Sequence, residues 1–270
     1  IKGANLCELV RLGVPVPPGF IISTEACADF LEKGNEKKTM KTIEQLKIDY
    51  RKAVMDIEIT TKKKLGVIVP VGPDSAAPLL LSVRAGSSIH MPEFMGKVLN
   101  IGINDQIVET MAHTSLNPRW AYDTYRRFLQ MFSCVVLGHD SKPFDDIMMN
   151  VRSSCGASTD SELEEADLKE IVRRFKLVVR VPDDPFEQLD MAIQAVYRSW
   201  TSPRATKYRD VHGIPSDHGA AVIVQSMVYG NLNAQSGSGV AVTRNPTTGE
   251  KEFYCEYLSN ASVSDLFSVY

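Results

Sequence analysis

Apolar positions along the chain alternate between two spacings, and each change of spacing marks an element. Leu6, Leu9, Val10 and Leu12 recur at helical spacing, and Gly13 supplies the stop. Pro15, Pro17 and Pro18 then force an extended path into a short strand at Phe20-Ile21-Ile22. Ser23 or Thr24 caps a helix running through Leu31. A lysine-rich helical pattern covers about Thr39 to Met55, and a Pro/Gly/Ser/Ala stretch over 70–78 predicts a surface loop. Leu79 to Arg84 (LLLSVR) predicts a buried strand that ends in a cation.

Residues 117–200 predict mostly helix. Asn117-Pro118 is a cap followed by proline, and Trp120, Tyr125, Phe128, Leu129 and Phe132 form an apolar stripe expected in the core rather than around a cofactor. Two further helices are predicted over Glu162–Val179 and Pro185–Trp200, then a polar, basic connector over Arg204–Ile214. The last part returns to strand chemistry. Ala220–Tyr229 is a nearly continuous apolar run, Gly230–Gly239 must turn, Val240–Thr243 is apolar again, Pro246–Glu250 turns, and Glu252–Leu258 alternates. These three strands are expected on one antiparallel sheet. The whole reads as α+β, with a helical insert between two α+β parts.

Composition narrows the classes. At 270 residues, 44% hydrophobic and 23% charged, the chain is long enough for a real core and ordinary for a globular protein. A formal net charge of -3 provides no basic field for nucleic acid. No apolar run reaches membrane-spanning length. Five scattered cysteines without C-x-x-C spacing favour reduced thiols in an intracellular compartment, cytoplasmic or organellar, over disulfides or a zinc site. The chain begins at Ile1 and stops at Tyr270 without natural-looking termini, so a longer parent is expected.

Candidate chemistry gathers at a few points. Ser236, Gly237, Ser238 and Gly239 could bring bare backbone N–H groups to an anion, since glycine has no Cβ in the way. Gln225–Val228 close the first of the late strands with free backbone groups, and Glu256 on the third could hold a hard cation through oxygen. A plain β-meander with a glycine turn fits the same spacing. Lys2 at a helix start suits phosphate contact, as does Arg84 at a strand end; a solvated lysine and a carboxylate-paired arginine are the alternatives at the two positions.

KGANLCELVRLGVPVPPGFIISTEAC, LLLSVRAGSS, WAYDTYRRFLQMF, PFEQLDMAIQAVYRSW and VAVTRNPTTGEKEFYCEYLSNA, in that order, resemble the amino-terminal nucleotide-binding domain of the pyruvate phosphate dikinase family. The resemblance implies an ATP-grasp fold. It divides the chain into one subdomain over 1–112 carrying Lys2 and Arg84, a helical insert over 113–200, and a second subdomain over 201–270, incomplete at its end. It implies ATP as substrate with Mg²⁺, and transfer of a (pyro)phosphoryl group to a histidine on a separate swivelling domain. By position, Lys2 and Arg84 match the phosphate-contacting catalytic pair and Glu256 a metal- and nucleotide-linked glutamate. Gln225, Met227 and Val228 match the adenine-lining segment, with Ser238, Gly239 and Thr243 completing the expected nucleotide-binding set.

Departures from the family pattern sit at the phosphate end. Where relatives typically read S-M-P-G-M-M-D-T, this chain reads His90-Met-Pro-Glu93-Phe-Met-Gly96-Lys97, and Glu93 would repel a triphosphate. After Asn260-Ala261 the family's Q-G-E-D-V-V-A-G becomes Ser262-Val-Ser-Asp265-Leu-Phe-Ser-Val. Two readings follow. One is an active phosphotransferase half-site, in which Lys97 restores positive charge to the loop. The other is a catalytically impaired relative kept as a structural or scaffold module in a larger assembly.

Overall fold

The computed structural model describes residues 1–31, 36–67, 77–89, 91 and 96–262. His90, Glu93 and Asp265, with most of the expected 70–78 loop, lie outside the described residues. The elements in order are α1 (Lys2–Arg11), β1 (Gly19–Ile22), α2 (Thr24–Leu31), α3 (Glu36–Thr61), β2 (Leu81–Gly86), β3 (Lys97–Ile101), α4 (Asp105–Ser115), α5 (Pro118–Val135), α6 (Lys142–Cys155), α7 (Glu165–Val178), α8 (Pro185–Trp200), α9 (Pro203–His212), β4 (Ala221–Ser226), β5 (Gly237–Val242) and β6 (Tyr254–Ser259).

β1, β4, β2 and β3 form an antiparallel four-stranded sheet in that order, while β5 and β6 form a separate two-stranded ribbon. The expectation of three late strands on one sheet therefore does not hold. β4 is apolar on both sides because it lies in the middle of the first sheet, with Val222 and Val224 fully buried between β1 and β2. Its partners are far away in sequence, so local pattern could not reveal them. One consequence bears on subdomain boundaries: the sheet joins residues on either side of the helical segment.

α8 and α2 pack on this sheet, and Trp200, Tyr197, Leu81 and Val83 are among the residues removed from solvent. α4, α5, α6 and α7 pack on one another, with Phe128, Phe132, Phe144 and Phe175 inside. Phe144 meets Phe175 edge-on at 4.9 Å. Caps follow the sequence: the side chains of Asn104, Asn117, Asp184 and Ser202 accept from first-turn N–H groups of α4, α5, α8 and α9. α9 corrects the expected connector over Arg204–Ile214. Ser202 caps it, Pro203 opens it and Gly213 closes it in the left-handed region, but its polar surface carries no apolar stripe to betray a helix.

Between α5, the turn at Asp160–Glu162 and α6 lies a charged knot. Buried Arg126 donates to Asp123 at 2.7 Å and to Asp160 at 2.8 Å, and Arg152 reaches Asp160 at 3.2 Å. Arg119 adds bonds to the carbonyls of Asp160, Ser161 and Leu163. This fixes the turn before α7 against α5, so the arginines here hold structure rather than ligand.

Candidate functional site

Arg84 lies in β2 with Ile223 of β4 on one side and Lys97 of β3 on the other. Ile21 of β1 pairs with Ile223, so Ile21, Ile223, Arg84 and Lys97 make one cross-strand row. Paired residues in an antiparallel sheet point to the same face. Arg84 is exposed by area, yet its surroundings deny the guanidinium full hydration and hold its pKa below the usual value. Among the described residues it makes no ion pair or hydrogen bond.

The start of α1 is tied to the same end of the sheet. The Ile1 backbone nitrogen donates to the Ser87 carbonyl at 2.7 Å, just beyond β2. A Cβ on Gly3 would sit 2.8 Å from the Ile21 side chain, so glycine lets α1 lie close on that row. Lys2, exposed, is thus carried beside the strand end that holds Arg84 and Lys97. Helix geometry and sheet register together bring these three cations to one region.

At the other end of β2 there is a cavity of about 560 Å³. Pro17, Pro18, Leu80, Met111, Trp120, Met227 and Val228 are among its walls. The Met227 N–H donates to the Leu80 carbonyl at 2.9 Å, and Ser226 N–H to Pro18 at 2.8 Å, which fixes the wall where β4 runs out. Gln225 does not line the cavity. Its side-chain amide donates to the Pro17 carbonyl at 2.9 Å, so it braces the proline wall from beneath. Beyond Val228 the chain is pinned to α5. Asn117 donates to the Leu232 carbonyl at 2.8 Å, and Tyr229 meets Trp120 edge-on at 4.9 Å.

Ser238, Gly239, Thr243 and Glu256 belong to the β5–β6 ribbon, which has no substantial packing against another element among the described residues. The glycines of the expected anion loop stand in a strand. Gly237 and Gly239 are paired in β5, opposite Ser259 and Tyr257. Tyr257 lies over Gly237 so closely that a Cβ would collide with its ring, and a Cβ on Gly239 would sit 2.6 Å from the Glu256 carbonyl. Close backbone and ring approach accounts for both glycines. Ser238 Oγ donates to the Ala261 carbonyl at 2.8 Å, and Thr243 is exposed in the bend after β5. Glu256, half-buried, accepts from the Tyr254 hydroxyl at 2.5 Å. The structure does not bring this ribbon against Lys2 and Arg84.

Among the described residues no group of three His, Cys, Asp or Glu side chains gathers to hold a metal. Glu256 offers a carboxylate within β6. That suits Mg²⁺, which keeps most of its shell as water and substrate phosphate and takes one or two protein carboxylates. Sequence reasoning had passed over the cavity walls at Met111, Trp120 and Leu80. They meet only through tertiary packing, although Trp120 stood in the recognised apolar stripe.

Sheet, bundle and a cation-bearing strand end describe a nucleotide-binding α+β domain of ATP-grasp type. Comparison with known proteins gives its family. Residues 1–262 match the family described as "Pyruvate phosphate dikinase, AMP/ATP-binding domain", and the chain belongs to it. It is 43% identical over 271 residues to pyruvate, phosphate dikinase of Rhizobium meliloti (strain 1021), covering 98% of this chain and 29% of that protein. Identity is 42% over 272 residues to the Clostridium symbiosum enzyme, with 98% and 30% covered. A chloroplastic relative from Mesembryanthemum crystallinum is 43% identical over 271 residues, with 98% and 27% covered. The chain thus spans under a third of these relatives' length. No helix among the described residues is long and apolar enough to cross a membrane.

Proposed function

We propose that this chain binds Mg-ATP along β2 and passes a phosphoryl or pyrophosphoryl group to a histidine on a separate, swivelling domain. The observation that carries the reading is the layout of β2. An apolar cavity walled by Leu80, Met227 and Val228 lies at its start, and Arg84, with no partner among the described residues, lies toward its end. Leu80 and Arg84 are four residue steps apart, or about 13 Å at the usual rise. The base would occupy the cavity, and the phosphates would extend to Lys2 and Arg84.

In such a site the protein mainly positions the nucleotide and neutralises charge as the phosphoryl group moves. Lys2 and Arg84 supply that charge, Arg84 with the planar fork that suits phosphate oxygens. Met227 and Val228 bound the base, with Gln225 bracing them, while Ser238, Gly239 and Thr243 act from the ribbon. Mg²⁺, when bound by Glu256 and the phosphates, supplies further neutralisation of charge on the phosphate oxygens. The ribbon would have to approach the sheet for Glu256 to act, which divides the chain into the three parts expected from sequence, with β4 assigned to the first. An intracellular, cytoplasmic or organellar setting fits the five unpaired cysteines.

Calorimetric titration with ATP, with and without Mg²⁺, tests this. Arg84→Ala and Lys2→Ala should each weaken ATP binding about 10- to 100-fold, as expected for losing a charged hydrogen bond. A folded chain that binds no ATP, or binds it equally well in both variants, refutes the site.

A further inference from the structure

Arg84 and Lys97 are direct cross-strand neighbours. Such pairs stand about 4.5–5.5 Å apart at Cβ and share a face, and two like charges so placed destabilise the sheet. Several other cations of the chain are met by carboxylates. Arg126 has Asp123 and Asp160, Lys142 has Asp146, Lys169 has Glu165 and Arg173 has Glu170. Arg84 and Lys97 have no such partner among the described residues. Lys97 also opens a strand that is firmly held. Val98 and Ile101 are fully buried, and Asn100 accepts from the Tyr229 hydroxyl at 3.0 Å. The two charges are therefore mounted on rigid backbone, and an anion of more than one charge is the natural complement.

We propose that Lys97 is a second phosphate-binding cation that acts with Arg84 on one phosphate group and makes the site favour polyphosphate over monophosphate anions. The identity of the anion rests on the nucleotide reading above; the cation pair itself does not. Lys97 stands where relatives typically carry threonine, so this is a property of the present chain rather than of the family pattern. It is a binding residue for charge selection and moves no proton.

The test is calorimetry on the chain with three probes: ATP, AMP and inorganic pyrophosphate. Wild type is compared with Lys97→Thr, Lys97→Arg and, as a control for overall charge, Lys142→Thr on α6. The expected result is that Lys97→Thr weakens ATP and pyrophosphate about 10- to 100-fold, leaves AMP unchanged, and is rescued largely by Lys97→Arg. Unchanged ATP and pyrophosphate affinity in Lys97→Thr overturns the inference, and so does an equal loss in Lys142→Thr. The probes separate the two claims. Lys97-dependent pyrophosphate binding without ATP binding keeps the cation pair and removes the nucleotide reading. ATP binding indifferent to Lys97 does the reverse, and a folded chain that binds neither removes both.

Discussion

Replacing Gln188 with leucine probes how the helices hold β3, the strand that carries Lys97. Gln188 is fully buried in α8, and its side chain serves three backbone groups. Its Oε1 accepts from the Gly102 N–H at 2.8 Å, and its Nε2 donates to the carbonyls of Ile103 at 3.1 Å and Pro182 at 2.7 Å. Leucine is similar in size, so cavity formation contributes little. The cost is that two buried backbone groups and the half-buried Pro182 carbonyl lose their partner. Each unsatisfied group costs about 1–3 kcal/mol. Partial repair by backbone adjustment brings the sum to about 3–5 kcal/mol. For a chain of this size that lowers the melting temperature by about 6–15 °C. Differential scanning calorimetry measures it, with Gln188→Glu as a second variant. At neutral pH a buried carboxylate facing two carbonyls should be worse than leucine, and lowering the pH should restore part of the loss as the acid becomes a donor. A Gln188→Leu melting temperature within about 2 °C of wild type would refute the claim that this side chain is the main partner of those groups.

Other expectations follow from the same packing. Arg126→Met leaves Asp123 and Asp160 without their shared partner and should destabilise by about 3–5 kcal/mol in urea denaturation. A loss below about 1 kcal/mol would show that Arg152 and Arg127 suffice. The Tyr197 hydroxyl is buried with no hydrogen-bond partner among the described residues, so Tyr197→Phe should be neutral or stabilising by up to about 2 kcal/mol; a clear loss would contradict that account. Burial pushes the Cys27 thiol from 9.0 up to about 11. Because the folded value is raised, this contribution is complete below pH 9.0 and is lost as pH rises toward about 11. Cys27→Ala should therefore flatten the alkaline decline, whatever it costs near neutrality. The same burial predicts that a thiol reagent near pH 8 modifies exposed Cys7, Cys155 and Cys255 well before Cys27. Finally, Glu256→Gln should reduce the Mg²⁺ dependence of ATP binding while leaving metal-free binding intact; equal Mg²⁺ dependence would remove Glu256 from the metal's shell.

Much of the fold was legible in sequence because its signals are local. The Asn117-Pro118 cap, the stripe from Trp120 to Phe132, and the Asp184-Pro185 start of α8 fix their helices through neighbours within a turn or two. α9 escaped notice because its caps were present without an apolar face. α3 runs from Glu36 to Thr61, past the expected Met55. The family motifs carried Lys2, Arg84 and Glu256 as candidates by residue identity alone.

What the sequence by itself determined is the set of elements and the chemistry available at each. It determined an apolar run that must be central in a sheet, a strand ending in arginine, and a lysine two residues into the chain. Which strands pair was decided only by tertiary structure, because an apolar strand fits many partners and the choice depends on burying all of them at once. That choice inserted β4 between β1 and β2, set Lys97 opposite Arg84, and left β5 and β6 as a ribbon of their own. It also set Gly237 and Gly239, expected in a turn, into β5 against Tyr257 and the Glu256 carbonyl. Side-chain chemistry is written residue by residue, whereas proximity between distant residues exists only once the core has closed.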